Sequence, residues 1–229
     1  MPYRRRRKEI AMNIHKSCVD HLRAFCTSSG IGPLSAGHAH EFVAAFCGHS
    51  TAAGLRAEKK CALVNLPEAD VIIPDYAMIA LRISQIPSLA AVAPHVERIV
   101  RSLCEHLVSE GHFTGKVWDE SDLIDLVESH IIPEYGSQIL DGLAGEMATT
   151  NAYFEGIDVN DVEIRKSEDG VQLIINGTLD GENDPDKPFT GTSIKFEAVV
   201  NLDCVAGRFG FSAPEIELGG EVDMSGYYD

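Results

Sequence analysis

The spacing of apolar residues changes near residue 150, and this change constrains the fold more than any other feature. Before it, apolar side chains recur every three or four residues, as in EIAMNIHKSCVDHLRAFC (9–26) and PHVERIVRSLCEHLVSEG (94–111), a spacing typical of amphipathic helices. After it, they alternate at every second residue, as in SIKFEAVVNLDC (193–204), a spacing typical of half-buried strands. The sequence therefore predicts an α+β fold, with an N-terminal helical region followed by a C-terminal antiparallel β-meander.

We expect two domains on either side of this change. Residues 1–150 are predicted to form a helical domain that begins with a basic tail (1–8), and residues 151–229 an acidic antiparallel β-sheet domain. The segments SEDG, DGENDPDKPFTG and CVAG, which are rich in turn formers, separate the predicted strands. One face of this meander is apolar, so we expect it to pack against helices.

Capping residues mark where several of the helices begin and end. The expected N-caps are Ser35, Ser50 or Thr51, and Asp75, because their side-chain oxygens accept hydrogen bonds from free backbone amides. A further helix is predicted over WDESDLIDLVESHII (118–132), capped by Asp119 or Ser121 and ended by Pro133.

Charge is distributed unevenly along the chain, whose formal net charge is −16. Residues 1–110 contain 13 Lys/Arg and 10 Asp/Glu, whereas residues 111–229 contain 6 and 25. An acidic second half repels nucleic-acid phosphates and attracts basic partners through long-range fields that salt weakens. We therefore expect a basic surface on the binding partner.

The cysteines and the N-terminus indicate a cytoplasmic location. The six cysteines include no CxxC pair, and we expect unpaired, buried thiols in a reducing compartment. No apolar run approaches the roughly 18–20 residues that cross a bilayer. The start of the chain, MPYRRRRKEI, lacks the apolar stretch of a secretory signal. We expect a cytoplasmic protein that does not bind membranes.

Motifs for metal binding and catalysis do not meet their spacing requirements. His38 and His40 lie two residues apart on a predicted helix, so they point in different directions and cannot chelate one ion together. Counted from Asp180, the acidic segment DGENDPDKPFTG has Pro185 at the sixth position and Gly191 at the twelfth, where a calcium-binding EF-hand loop needs Gly and Glu. No nucleophile elbow or P-loop is credible. We expect no metal, no cofactor and no enzymatic activity, with an active site dispersed along the chain as the remaining alternative.

A helix-turn-helix DNA-binding regulator is the second alternative. In AAFCGHSTAAGLRAEKK (44–60), a turn glycine separates two short predicted helices, and the second carries basic residues. The arginines near the N-terminus would add a basic arm. The nucleic-acid-binding residues on this hypothesis are Arg4, Arg5, Arg6, Arg7, Arg56, Lys59 and Lys60.

Two stretches resemble proteins of bacterial plasmids and integrative elements. They are LSAGHAHEFVAAFCGHSTAAGLRAEKK (34–60) and the acidic segment that begins TTNAYFEGIDVNDVEI (149–164) and continues through NGTLDGENDPDKPFTGTSI and VAGRFGF. The resemblance covers about half the chain and includes no catalytic signature. It implies a role in conjugation, regulation or counter-defence, a group that includes anti-restriction and anti-CRISPR proteins.

These observations favour an inhibitor that binds a host nucleic-acid-targeting defence complex through protein–protein contacts. Acidic side chains would occupy the complex's basic nucleic-acid-binding surface, and apolar residues of the helical half would prolong the contact. The amphipathic helices would also suit a homodimer. The candidate partner-binding residues are Asp158, Asp161, Glu163, Asp180, Glu182, Asp184 and Asp186.

Overall fold

The structure is a computed structural model that describes residues 2–154, 156–188 and 191–223, with side chains from residue 13 onward. Its residues form two compact units. The helical unit comprises Met1–Ser121, Glu168–Gly170 and Asp203–Ala213. The sheet unit comprises Asp122–Ser167, Val171–Leu202 and Pro214–Asp229. The predicted α+β order, helices first and largely antiparallel strands last, is confirmed.

Eight α-helices are found in the described residues. They are α1 (Pro2–Ser28), α2 (Ala36–Phe46), α3 (Ala52–Ala57), α4 (Tyr76–Gln85), α5 (Val96–Ser109), α6 (Leu123–Leu126), α7 (Ile132–Gly142) and α8 (Ala144–Thr149). Short 3₁₀ helices span Leu63–Glu68, Pro87–Leu89 and Ala93–His95, and a π-helical turn spans Val127–Ile131. Among these described helices, none combines the length and apolarity that spanning a bilayer requires.

The strands are β1 (Val71–Ile72), β2 (Lys116–Val117), β3 (Ala152–Phe154), β4 (Asp158–Lys166), β5 (Gly170–Asn183), β6 (Ser193–Ala206), β7 (Gly210–Phe211) and β8 (Glu215–Val222). In the sheet unit, β3 and β4 pair with β5, β5 neighbours β6, and β6 pairs with β8. In the helical unit, β1 pairs with β2 and β7, and β7 also pairs with the end of β6.

Helix capping follows the sequence in three places. Ser35, Thr51 and Asp75 accept hydrogen bonds from backbone amides at the starts of α2, α3 and α4, at 3.2, 3.0 and 2.9 Å. Helix α1 begins at Pro2, so residues 2–8 are helical, and a basic tail at residues 1–8 remains a prediction.

The helix predicted over 118–132 has different ends in the structure. Asp122 caps α6, in place of Asp119 or Ser121, by accepting from the amide of Ile124. Pro133 lies in the first turn of α7 and does not end the helical segment, because the π-helical turn Val127–Ile131 leads directly into α7. Helices α6–α8 belong to the same compact unit as the sheet. The domain boundary expected at residue 150 remains a prediction.

Apolar side chains fill the interior of each unit. In the helical unit, the predicted stripe of α5 is fully buried at Ile99, Val100, Leu103 and Leu107. In the sheet unit, the inner face of the meander is lined by buried residues of β5 and β6. Helices α7 and α8 cover the inner face of β8: a Cβ at Gly142 would collide with Leu218, and one at Gly220 with Leu143.

The prediction of six unpaired cysteines is wrong at two positions. Cys61 and Cys204 form a disulfide in the helical unit, with their Cα atoms 6.0 Å apart and a sequence separation of 143. Cys18, Cys26, Cys47 and Cys104 are free and buried, as expected. The sequence could not reveal the pair because the two cysteines belong to distant segments that only the fold brings together.

We expect the substitution Gly115→Ala to destabilise the helical unit. The new Cβ would overlap the backbone carbonyl of Asp70, which accepts the amide of Lys116 where β2 joins β1. Backbone cannot rotate aside as a side chain can, so we expect a loss of about 2–3 kcal/mol in unfolding free energy. Denaturant unfolding followed by circular dichroism measures this loss.

The control substitution is Gly37→Ala in α2, where an added Cβ meets nothing within 4 Å. It should be neutral or stabilise by up to about 1 kcal/mol, because alanine favours helix over glycine. Equal stability of the two variants would contradict the close approach of Gly115 to Asp70.

Candidate functional site

Three of the predicted partner-binding carboxylates project from the outer face of β4. Asp158 lies opposite Thr178, Asp161 opposite Asn176, and Glu163 opposite Ile174 on β5. Residues 158 and 161 are separated by an odd number of positions, so a regular strand would place them on opposite faces. A bulge between Val159 and Asp161 corrects this and brings the three exposed carboxylates onto one face.

Strand β5 adds two more carboxylates to the same face. Asp180 and Glu182 follow Thr178 at steps of two, and both are exposed. Tyr153 of β3 pairs with Glu182 and is 65% exposed, which is unusual for a large aromatic side chain. Five of the seven predicted carboxylates therefore share the outer face of the sheet.

The other two predicted carboxylates belong to the turn after β5. Asp184 accepts the backbone amide of Asp186 at 3.1 Å and forms an ion pair with Lys187 at 3.1 Å. Both contacts lower the pKa of Asp184, and the hydrogen bond from the Asp186 amide has the larger effect. Asp186 is exposed in the same turn. Asp184 thus shapes the turn, and neither residue lies on the strand face.

Strand β8 carries three glutamates that are not among the predicted partner-binding residues. Glu215, Glu217 and Glu221 lie opposite Asn201, Val199 and Lys195 of β6, and all three are exposed. The alternation in EIEL (215–218) was the available signal. Because Ile216 and Leu218 turn inward, the glutamates between them must turn outward.

The acidic residues form two rows at the sides of one sheet face. The β4 row consists of Asp158, Asp161 and Glu163, and the β8 row of Glu215, Glu217 and Glu221. Strands β5 and β6 lie between them, in a register fixed by the bond from the Gly181 amide to the Thr192 carbonyl. Three strand spacings of ~4.8 Å place the rows about 14 Å apart.

The strip between the rows contains both uncharged and charged side chains, among them exposed Asp180, Glu182 and Glu197. Gln172 donates to Asn201 across it at 3.0 Å, and Ile174 is only 6% exposed at its centre. Lys195 of β6 is paired with Asp223 at 2.8 Å. The face therefore presents two negative edges with further carboxylates between them.

Ion pairing reduces the negative charge of the β4 row more than that of the β8 row. Arg165 donates two hydrogen bonds to Glu163, at 2.9 and 3.0 Å, and these bonds lower the pKa of that carboxyl group. Both side chains are largely exposed, so the pair is screened by solvent. Within the described residues, no ion pair involves Glu215, Glu217 or Glu221 at 4 Å or less, although Lys195, whose ion-pair partner is Asp223, lies opposite Glu221.

Net charge separates completely between the two units. The sheet unit contains 4 Lys/Arg and 20 Asp/Glu, a net charge of −16, whereas the helical unit contains 15 of each. The sheet unit therefore accounts for the whole net charge of the protein. Its field favours approach of a basic surface.

The basic residues of the DNA-binding alternative are dispersed around α3. Helix α3 has six residues and spans about 9 Å, a short recognition helix, and it ends at Ala57, before both lysines. Lys60 forms an ion pair with Asp169, and the Nε–H of Arg56 donates to the carbonyl of Ala52 at 3.0 Å. The side chains of Arg4, Arg5, Arg6 and Arg7 lie outside the described residues.

The histidines contact different partners and do not converge. The Nδ1 atom of His40 lies 3.4 Å from Nε2 of His15, whereas Nε2 of His38 lies 3.0 Å from the hydroxyl of Ser88. In the part of the chain that the structure describes, no group of three or more His, Cys, Asp or Glu side chains is arranged to hold a metal ion. The acidic face is thus the most distinctive chemical feature of the described surface.

No protein-family model matches this chain, and neither a curated protein nor a solved structure matches it. Function is therefore inferred from the chemistry of the acidic face.

Proposed function

We propose that this protein is a non-enzymatic inhibitor whose acidic face occupies a basic, nucleic-acid-binding surface of a protein complex. The observation that carries this proposal is the pair of carboxylate rows, about 14 Å apart on one sheet. The rows belong to a unit whose net charge is −16.

The geometry of the rows supports competition with nucleic acid. Alternate residues of a strand are ~6.8 Å apart, and a sheet holds their side chains in fixed directions. The two phosphate backbones that border the major groove of B-DNA are separated by a groove about 12 Å wide. Fixed negative groups at comparable spacings can satisfy the same lysines and arginines, and their long-range field accelerates encounter.

A host defence complex is the partner that we propose. The resemblance to proteins of plasmids and integrative elements implies conjugation, regulation or counter-defence. Of these, counter-defence fits an acidic face, because restriction and CRISPR complexes must expose basic surfaces to bind nucleic acid. A cytoplasmic location is part of this proposal, because the complexes would be met there. The inhibitor would act by occupancy and would need no cofactor.

We expect neutralisation of the β8 row to weaken partner binding. The triple variant Glu215→Gln, Glu217→Gln, Glu221→Gln removes three exposed charges and keeps the side-chain shapes. We expect affinity to fall about 10- to 100-fold, because each close charge pair contributes on the order of 1 kcal/mol. Nuclease-treated host lysate, enriched for basic proteins on heparin, is passed over immobilised wild-type or variant protein, and the captured proteins are quantified.

A matched control removes three exposed charges from the helices of the same unit: Asp125→Asn, Glu128→Gln, Asp141→Asn. This control variant should capture the same partner as the wild type. In a separate measurement, the purified partner should release labelled DNA when wild-type protein is added. Equal loss in both triple variants would indicate a net-charge effect. A partner that binds DNA and this protein simultaneously would refute the proposed inhibition.

A further inference from the structure

Strand β8 forms an open edge of the sheet unit. It pairs with β6 on one side, and among the described residues no strand pairs with its other side. Its inner face is fixed, because Leu218 and Gly220 lie against Gly142 and Leu143 of the helices beneath. The edge is therefore ordered and exposes backbone hydrogen-bonding groups.

The hydrogen-bond pattern identifies which backbone groups are exposed on that edge. The amide of Asp223 donates to the carbonyl of Ser193 at 2.8 Å, which makes 223 and 193 a hydrogen-bonded pair. Such pairs recur at every second position of an antiparallel ladder, so 215, 217, 219 and 221 also bond to β6. The amides and carbonyls of Ile216, Leu218, Gly220 and Val222 therefore point to the open side.

Strand β8 lacks two backbone features, a proline and a bulge, that usually block addition of another strand. It is eight residues long and contains neither a proline nor a bulge. Strand β4, at the opposite side of the meander, is interrupted by a bulge and ends in Arg165 and Lys166. The two edges thus differ in their capacity to accept a new strand.

Charge selects the kind of strand that can be added. Glu215, Glu217 and Glu221 project from the outer face beside the open edge, and like charges directly opposite on paired strands are destabilising. A second copy of β8 would bring its own glutamates against them. An added strand with lysine or arginine at alternate positions would place cations opposite them instead.

We infer that β8 binds an extended basic segment of the partner by strand addition, an inference that rests on the proposed function and specifies how the acidic face is engaged. Backbone bonds to Ile216, Leu218, Gly220 and Val222 hold the segment, and the β8 glutamates select its basic residues. A folded basic surface without an extended segment would contact the face but not this edge.

The test uses a fluorescent nine-residue peptide that alternates threonine and lysine, with both ends blocked. Two analogues carry the same charge: one is N-methylated at two threonines, the other at two lysines. In any added strand, amides of one alternate set face β8 and those of the other face solvent. We expect fluorescence anisotropy to show binding of the parent peptide to the full chain, an at least ~tenfold loss for one analogue, and little loss for the other.

Protein variants test the same ladder from the other side. Ile216→Pro removes an amide that faces the open edge, whereas Ile216→Ala removes more apolar contact but keeps the amide. We expect Ile216→Pro to weaken the parent peptide about five- to tenfold relative to Ile216→Ala, by loss of one hydrogen bond. Protection of the amides of 216, 218, 220 and 222 from hydrogen exchange should accompany binding.

The outcomes separate this inference from the proposed function. One outcome is that both N-methylated peptides bind the wild type like the parent peptide, whereas the β8 triple variant binds none of the three peptides. Charge alone would then govern binding, which refutes strand addition but not the proposed role of the acidic face. Concentration-dependent dimers that Ile216→Pro abolishes would identify a second copy as the occupant and refute the inference. Failure of the proposed function appears separately, as unchanged partner capture by the triple variant.

Discussion

Reduction of the Cys61–Cys204 disulfide is expected to lower the unfolding free energy by about 3–5 kcal/mol, since the bond closes a loop of 143 residues. A cross-link of this span restricts the unfolded chain strongly, and the chain-entropy relation gives ~5 kcal/mol as its upper value. Total stabilities of folded proteins are only about 5–15 kcal/mol. The melting temperature should therefore fall by roughly 10 °C in dithiothreitol.

The Cys204→Ser variant provides the control for reduction. It should be less stable than the wild type without reductant, and dithiothreitol should not destabilise it further. Thiol titration gives an independent readout: the unfolded, unreduced protein should expose the four free cysteines, and the reduced protein all six. Six reactive thiols before reduction, with identical melting curves, would contradict the disulfide.

The disulfide makes stability depend on the compartment in which the protein resides. Disulfides are rare in the reducing cytoplasm, where we expected this protein from its cysteine spacing. In that compartment the reduced form would carry the function, with the lower stability predicted above. If the free thiols are blocked inside the cell before extraction, thiol titration would show whether the oxidised or the reduced form prevails.

Local pattern predicted the elements of this fold better than their ends. The change of period near residue 150 and the capping side chains of Ser35, Thr51 and Asp75 depend on neighbouring residues, and both were confirmed. The helical segment after Asp122 was harder, because a π-helical turn carries the chain past the point where Pro133 was expected to end it. Helix continuation there depends on packing that single-sequence periodicity does not contain.

The acidic face was partly predictable, and its incompleteness has physical causes. The bulge beside Asn160 places Asp158 and Asp161 on the same face, and no residue pattern in β4 predicts this bulge. Asp184 and Asp186 were included because turn acids and strand acids look alike in sequence. Glu217 and its neighbours in β8 could have been identified from their alternation with Ile216 and Leu218.

Acidification from pH 7 to pH 4 is expected to destabilise the helical unit through His15. This side chain of α1 is 7% exposed and lies 3.4 Å from His40, and burial, followed by the charges of His40 and Arg56, lowers its pKa to about 4. The unfolded chain takes up this proton near pH 6.5, whereas the folded protein resists it down to about pH 4. Full stability is therefore present above pH 6.5 and is lost as the pH falls to about 4, by about 3 kcal/mol.

A second imidazole pair adds to the same trend. His21 of α1 and His106 of α5 stack with ring centroids 4.1 Å apart, and each bonds a serine of the other helix at 2.8 Å. Burial lowers the pKa of both histidines, and the charge of His106 lowers that of His21 further. Protonation would thus disfavour the contacts of α1 with both α2 and α5.

The His15→Gln variant isolates the first effect, because glutamine can still hydrogen-bond to His40 but does not titrate in this range. Urea unfolding at pH 7 and at pH 4 should show about 3 kcal/mol less acid destabilisation in this variant than in the wild type. Protonation of the carboxylates on the sheet unit has its own pH dependence, but both proteins share it, so it cancels in the difference. If His15→Gln loses as much stability in acid as the wild type, His15 does not hold its neutral form in the folded protein.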